Sequence, residues 1–197
     1  MLNASIVLYH PDWIGEVIPL VEELLRVTYM HTLYLVDNSE TRADPAVLPQ
    51  SDKVRYIFLG ENVGYGRGHN TALRESIYDG IKYHLVLNSD IELKAEDIDT
   101  LCAFMETQPM VGQLMPRVVY PNGEIQYLCK LLPTPLDVFG RRFLPKCRTA
   151  KRNARYELRA TGYDKPMNVP YLSGCFMLLR TEAALKARLF DERYFMY

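Results

Sequence analysis

Leu85-Val86-Leu87-Asn88-Ser89-Asp90 runs through three apolar residues and then stops on Asn, Ser and Asp. An unbroken apolar run bounded by polar residues reads as a strand buried on both faces, as in a parallel sheet. A carboxylate at the end of such a strand is costly unless something there needs a negative charge. In open α/β sheets, ligands bind just past the carboxyl ends of the strands. The same layout occurs once before, at Leu33-Tyr34-Leu35-Val36-Asp37-Asn38-Ser39. Together they place two aspartates at equivalent edges of adjacent strands, around a ligand that carries a metal or offers donors. Each aspartate also has a plain alternative: Asp90 caps the next helix, and Asp37 caps a turn.

Outward from this stretch, strand and helix alternate. Ser5–Tyr9 reads as a first strand, broken by His10-Pro11-Asp12, and Glu16–Thr28 as a helix with Val17, Leu20, Val21, Leu24 and Leu25 at helical spacing. Val54–Leu59 is a third strand, Asn62–Gly68 a glycine-punctuated turn, and Asn70–Ile81 a helix. Ala95–Thr107 predicts another helix and Val111–Met115 a fifth strand. Val118–Tyr120 and Ile125–Tyr127 flank the hairpin signal Pro121-Asn122-Gly123-Glu124. Phe176–Leu179 follows as an apolar run, and Thr181 is placed to cap a last helix. The fold class expected is α/β, a mostly parallel sheet flanked by helices, with a small hairpin part.

Composition narrows the function. The 197 residues, 48% of them hydrophobic, suit one globular domain, and a net charge of -1 gives no global pull toward nucleic acid. Cys102, Cys129, Cys147 and Cys175 form no Cys-x-x-Cys pair, which argues against zinc and for reduced thiols in the cytoplasm. The start of the chain carries no signal-peptide pattern, and no apolar run reaches a membrane span. Between 128 and 169 the character changes to a basic, proline-interrupted insert. Such an insert is a solvated surface, or a face toward an anionic acceptor or membrane headgroups. The expected organisation is therefore an α/β half at 1–127, a basic insert at 128–169 and a closing segment at 170–197, all one domain.

Several chemistries fall away. In Gly64-Tyr65-Gly66-Arg67-Gly68-His69 the third glycine of a dinucleotide fingerprint is replaced by His69. There is no Gly-x-Ser-x-Gly element and no phosphate-binding Gly-x-x-x-x-Gly-Lys-Ser/Thr loop. The glycine turn reads either as a flexible connection or as a loop whose backbone approaches a ligand, with Asn62 fixing it and Arg67 over a base or phosphate. The four histidines show no metal-ligand spacing, and only His69 lies in the candidate site.

Taken together, these motifs resemble family 2 glycosyltransferases of the GT-A fold, in the branch of bacterial rhamnosyltransferases and other enzymes of surface-polysaccharide assembly. Ser5-Ile6-Val7-Leu8-Tyr9-His10 resembles the opening strand, with His10 where Asn is usual, and Val36-Asp37-Asn38-Ser39 the turn after strand two. Asn62-Val63-Gly64-Tyr65-Gly66-Arg67-Gly68-His69-Asn70 is similar to the branch's Asn-x-Gly-Phe-x-x-Gly-x-Asn loop. Leu87-Asn88-Ser89-Asp90 is similar to its Leu-Asn-Pro-Asp form of the Asp-x-Asp motif. Leu172-Ser173-Gly174-Cys175-Phe176-Met177-Leu178 and Phe190-Asp191-Glu192-Arg193-Tyr194-Phe195-Met196-Tyr197 resemble acceptor-side segments.

The resemblance implies that Tyr9, Pro11, Asp37, Asn62, Gly64 and Arg67 surround the nucleotide. It places Asn88 at the ribose or sugar, Asp90 on a Mg²⁺ or Mn²⁺ at the diphosphate, and Ser173, Gly174 and Cys175 where sugar and acceptor meet. The implied reaction is inverting transfer from dTDP-rhamnose or a UDP-sugar to a saccharide or lipid-linked saccharide, in the cytoplasm at the inner face of the membrane. The 130–165 region would offer peripheral membrane contact. In this branch a Glu-Asp pair follows the Phe-Met-Tyr segment and supplies the base, so the base is expected beyond Tyr197, with Asp191 and Glu192 as the substitutes within reach. The chain thus reads as truncated, binding donor but transferring poorly. A nucleotide-sugar-binding module without turnover is the alternative.

Overall fold

The structure is a computed structural model that describes residues 1–134 and 146–195, with the side chains of 146–149 left aside. It divides into two compact units, one of Met1–Leu114 with Gly174–Tyr197, the other of Met115–Ser173.

The first unit is a six-stranded sheet of order β3-β2-β1-β4-β6-β5. Its strands are β1 (Leu2–Leu8), β2 (Met30–Asp37), β3 (Val54–Phe58), β4 (Tyr83–Leu87), β5 (Gln113–Leu114) and β6 (Phe176–Arg180). The first four run parallel, and β6 is antiparallel to both β4 and β5. The expected α/β architecture is present, with one difference at the strand ends that carry the aspartates. Asp37 ends β2 as predicted, but β1 lies between β2 and β4, so the two aspartates do not sit on adjacent strands. The strand order also reverses between β1 and β4, the switch point at which such sheets open a crevice.

Central strands are apolar on both faces because both are covered. Leu85, Val86 and Leu87 are fully buried. α1 (Ile18–Leu25) packs against β2 and α3 (Ala95–Thr107), while α2 (Tyr65–Tyr78) packs against β1, β2, β4 and α5 (Thr181–Lys186). Pro19 sits in the first turn of α1, where its missing N–H costs nothing. A single π turn, Trp13–Val17, leads into α1 and is capped by the Asp12 carboxylate on the Gly15 N–H.

Three elements depart from the sequence reading. α2 begins at Tyr65 rather than Asn70, so Gly66 and Gly68 lie inside its first turns. A Cβ at Gly66 would come within 3.0 Å of Phe190 Cβ, and one at Gly68 within 2.8 Å of Val7. Tertiary packing here outweighs the low helix propensity of glycine. Thr181 is the first residue of α5 rather than its cap, and its hydroxyl donates to the Ile81 carbonyl at 2.6 Å. Asp90 does not cap α3, which begins after Lys94.

A polar chain runs through the buried face beneath α2. Ser5 Oγ lies 2.7 Å from His69 Nδ1 and 2.8 Å from His84 Nε2, and Ser76 Oγ lies 2.7 Å from His84 Nδ1. Asn3 donates to Ser76 Oγ and accepts from the Thr32 N–H. Burial pushes the pKa of His84 down to about 3 and that of His69 well below its ordinary value, with His84 adding to the effect at His69.

In the second unit the predicted hairpin shrinks to one antiparallel bridge, Val119 to Ile125, closed by the turn at Gly123 (φ +83°). The Tyr163 hydroxyl is its hub, bonded to Cys129 N–H and to the carbonyls of Cys129 and Glu157. The basic helix α4 (Lys146–Tyr156) belongs to this unit. The basic residues Arg141 and Arg142 and the prolines at 135 and 145 lie outside the described residues. Among the described residues no helix is long and apolar enough to cross a membrane.

Candidate functional site

The carboxyl ends of β1, β2 and β4 and the loop entering α2 gather most of the predicted residues on one edge of the first unit. Register fixes their levels: Leu8 pairs with Asp37, and Ile6 with Leu87. The Asn38 N–H donates to the Leu8 carbonyl at 2.8 Å, which ties the two strand ends together.

Asp37 is buried, and protein groups occupy its carboxylate. The Ser39 N–H donates to Oδ1 at 2.9 Å, and the Tyr56 hydroxyl to Oδ2 at 2.5 Å. Burial, together with this bond, pushes the Tyr56 pKa up to about 12, so it remains a donor. Asp37 therefore builds a turn and anchors an aromatic corner. Arg42 lies over the Tyr56 ring at 5.6 Å, and Trp13 packs 6.3 Å from that ring.

Asp90 is the opposite case. It is exposed, three residues past the end of β4, and no hydrogen bond or ion pair engages its carboxylate among the described residues. Asn88 and Ser89 before it are half-buried, and the Ser89 hydroxyl donates to Glu16 at 3.3 Å. Among the described residues no group of three His, Cys, Asp or Glu side chains forms a metal cage. A hard cation shared with a diphosphate needs less: one carboxylate, with phosphate and water oxygens filling the other positions. The donor set at the end of β4 fits that case.

At the end of β1 the chain turns through His10, a non-glycine residue in the left-handed region (φ +48°). Two contacts hold it there: its N–H donates to Ser39 Oγ at 3.0 Å, and its ring pairs with Glu40 at 3.0 Å. Tyr9 stays half-exposed beside it, with its hydroxyl on Glu40 at 3.2 Å and its ring edge-on to His10 at 4.3 Å. Pro11 follows, half-buried.

The Asn62–Gly64 loop is tied by its own bonds and by Asn38. Asn62 Oδ1 accepts from the Gly64 N–H at 3.1 Å and from Asn38 Nδ2 at 3.3 Å, and Asn38 also reaches the Gly64 carbonyl at 3.2 Å. Asn62 thus does fix the loop. Gly64 (φ +85°) faces this chain's own backbone: a Cβ there would overlap the Phe195 carbonyl oxygen, which accepts the Tyr65 N–H at 3.1 Å. The close approach this glycine permits is that of residues 190–195. Arg67 is exposed on the first turn of α2.

The closing segment is latched onto α2. Asn70 donates to the Phe190 carbonyl at 2.9 Å and accepts from the Phe190 N–H at 3.0 Å. Glu192 accepts from Asn70 at 2.9 Å and pairs with Arg74, and these bonds hold its pKa below the ordinary carboxylate range. Arg193 clamps Asp191 through Nε and Nη2, which pulls the Asp191 pKa down to about 2. Both carboxylates that the resemblance offers as substitute bases are thus engaged in ion pairs within this unit. Met196 and Tyr197 lie outside the described residues. Gly174 and Cys175 lead into β6 in the first unit. The Gly174 carbonyl accepts the Tyr65 hydroxyl at 2.5 Å, and the Cys175 carbonyl accepts the Asn88 N–H at 3.1 Å. Ser173 is half-buried at the end of the second unit.

Sequence reading missed Ser39, Glu40, Tyr56 and Tyr65. Ser39 and Tyr65 stood inside motifs but carried no chemistry of their own. Glu40 and Tyr56 become visible only once β1, β2 and β3 are paired.

Comparison with known proteins shows the family and the fold. Two curated relatives from Mycobacterium tuberculosis strains (CDC 1551 / Oshkosh and ATCC 25618 / H37Rv) are each 30% identical to this chain over 84% of its length. Both are named N-acetylglucosaminyl-diphospho-decaprenol L-rhamnosyltransferase, and the match covers 57% of each, so the chain spans little more than half of their length. Crystal structures of S. aureus TarS share the fold. One, spanning TarS residues 1–349, matches with a TM-score of 0.57 at 15% identity over 98% of this chain and 51% of its own. Another reaches 0.59 at 16% identity over 98% and 31%. The family model for "Glycosyl transferase family 2" matches residues 16–186, and the chain belongs to that family.

Proposed function

We propose that this chain binds a nucleoside-diphosphate sugar and serves an inverting glycosyltransferase that passes the sugar to a saccharide on a lipid carrier. The observation that carries the reading is the placement of the two aspartates. Asp37 is held in place by Ser39 and Tyr56 on the base side, and Asp90 stands exposed and unengaged among the described residues, past β4 at the switch point. Tyr9, Pro11 and the Tyr56–Arg42 corner are suited to base and ribose, with Asn62 and Arg67 on the far wall and Asn88 and Asp90 at the diphosphate. Gly64 contributes by letting the closing segment approach, and Gly174 and Cys175 form the floor. Ser173 is assigned to the acceptor side with them.

Mg²⁺ or Mn²⁺ at Asp90 supplies Lewis-acid stabilisation of the charge that grows on the departing nucleoside diphosphate. This chain's residues do the rest: Asp90 and Asn88 orient the diphosphate, and the loop fixed by Asn62 excludes water from one side. Asp191 and Glu192 act structurally, since each is held in an ion pair with its pKa lowered. The rhamnosyl group and the N-acetylglucosaminyl-diphospho-decaprenol acceptor in the relatives' names support a rhamnosyl donor and a lipid-linked saccharide acceptor, and the branch resemblance makes dTDP-rhamnose the first donor. A UDP-hexose is the second donor. The basic 130–165 region suits contact with anionic headgroups at the cytoplasmic face of a membrane.

Calorimetric titration of dTDP-rhamnose against UDP-hexoses in Mn²⁺ tests the reading. The expected result is a preference of about ten-fold or more for the dTDP donor. Equal failure of every nucleotide sugar to bind would overturn it.

A further inference from the structure

We propose that Tyr65 is a positioning residue: its hydroxyl sets the spacing between the Asn62–Gly64 loop and the Asn88–Asp90 turn by holding the Gly174–Cys175 segment that joins them. This rests on the donor-site reading above and names a residue that reading does not use.

Two consecutive carbonyls of this segment are each held by a different element. The Gly174 carbonyl accepts the Tyr65 hydroxyl at 2.5 Å, and the next carbonyl, of Cys175, accepts the Asn88 N–H at 3.1 Å. One short piece of backbone is thus pinned from both sides, by the first residue of α2 and by the first residue past β4. Two residues beyond Asn88 lies Asp90, and Tyr65 follows directly on the loop that Asn62 fixes.

Tyr65 itself cannot swing freely. Its N–H donates to the Phe195 carbonyl at 3.1 Å. Its ring stands edge-on to His69 at 4.4 Å and packs 6.2 Å from Phe190. His69 is fully buried and bonded to Ser5 of β1 at 2.7 Å, so the ring is referenced to the centre of the sheet. The hydroxyl at the end of this fixed ring is a rigid strut. A ligand gripped at its base by one loop and at its diphosphate by another depends on the distance between the two, and a misplacement of about 1 Å costs on the order of 100-fold in a reacting geometry.

Tyr65→Phe removes the strut and keeps the ring. Titrations with UDP and with UMP, each in Mn²⁺ and repeated with dTDP and dTMP, separate positioning from general loosening. The diphosphate should bind about five- to ten-fold more weakly to Tyr65→Phe, while the monophosphate stays within about two-fold. Amide exchange at Asn88 should also accelerate in the variant, with β1 amides unchanged. Unchanged diphosphate affinity, or equal losses for mono- and diphosphate, would overturn the proposal. Asp90→Ala, run in parallel, tells the two levels apart. If it binds UDP and dTDP in Mn²⁺ like wild type, the donor-site reading falls and the strut with it. If it weakens them while Tyr65→Phe does not, only the strut falls.

Discussion

Asp37 and Asp90 have the same chemistry and the same sequence setting, a strand end followed by short polar residues, yet different fates. Asp37 is buried and accepts from Ser39 and Tyr56, so its charge is met by fixed dipoles. Removing it leaves the buried Ser39 N–H and the half-buried Tyr56 hydroxyl without this acceptor. Asp37→Ala should therefore cost about 2–4 kcal/mol in urea denaturation, most of it the penalty of unpaired buried groups. Asp90 has no such partners among the described residues, and the same substitution there should leave stability nearly unchanged. Sequence could find both aspartates but not tell them apart. The discriminating residue, Tyr56, lies on β3 and reaches Asp37 only through strand pairing.

The buried serine–histidine chain gives the sheet and α2 a shared dependence on pH. His69 and His84 are neutral in the folded protein, with pKa values below the ordinary 6.5, His84 at about 3. In the unfolded chain each takes up a proton near pH 6.5. Their contribution to stability is thus complete above about pH 6.5 and is lost as pH falls below it. Chemical denaturation should show stability dropping by roughly 2–4 kcal/mol between pH 7.5 and pH 5, with His84→Gln flattening that slope by about half. Elements were legible where pattern is strong. The apolar runs of β2 and β4 and the helical spacing of α1 and α3 stand close to where the sequence put them. The start of α2 was not legible, because glycine signals a turn locally and only Val7 and Phe190, distant in sequence, require it inside a helix. The buried histidine network was not legible for a similar reason: its partners, Ser5 and Ser76, come from separate elements.

Across the whole molecule, the family and the fold were legible from ordered motifs, and the family model and the TarS fold agree with that reading. Less legible was the interleaving of the ends of the chain. Residues 190–195 return to the glycine loop, and Gly174–Cys175 joins that loop to the end of β4. These contacts link the loop, the Gly174–Cys175 segment and the turn that carries Asp90, whose carboxylate is unengaged among the described residues. The most direct measurement is the affinity of dTDP and UDP with Mn²⁺ and with the metal chelated, in wild type and in Asp90→Ala. The account predicts that chelation weakens wild-type binding by about ten-fold or more, and that Asp90→Ala binds weakly whether metal is present or not. An Asp90→Ala protein whose affinity still rises with Mn²⁺ as in wild type would contradict it.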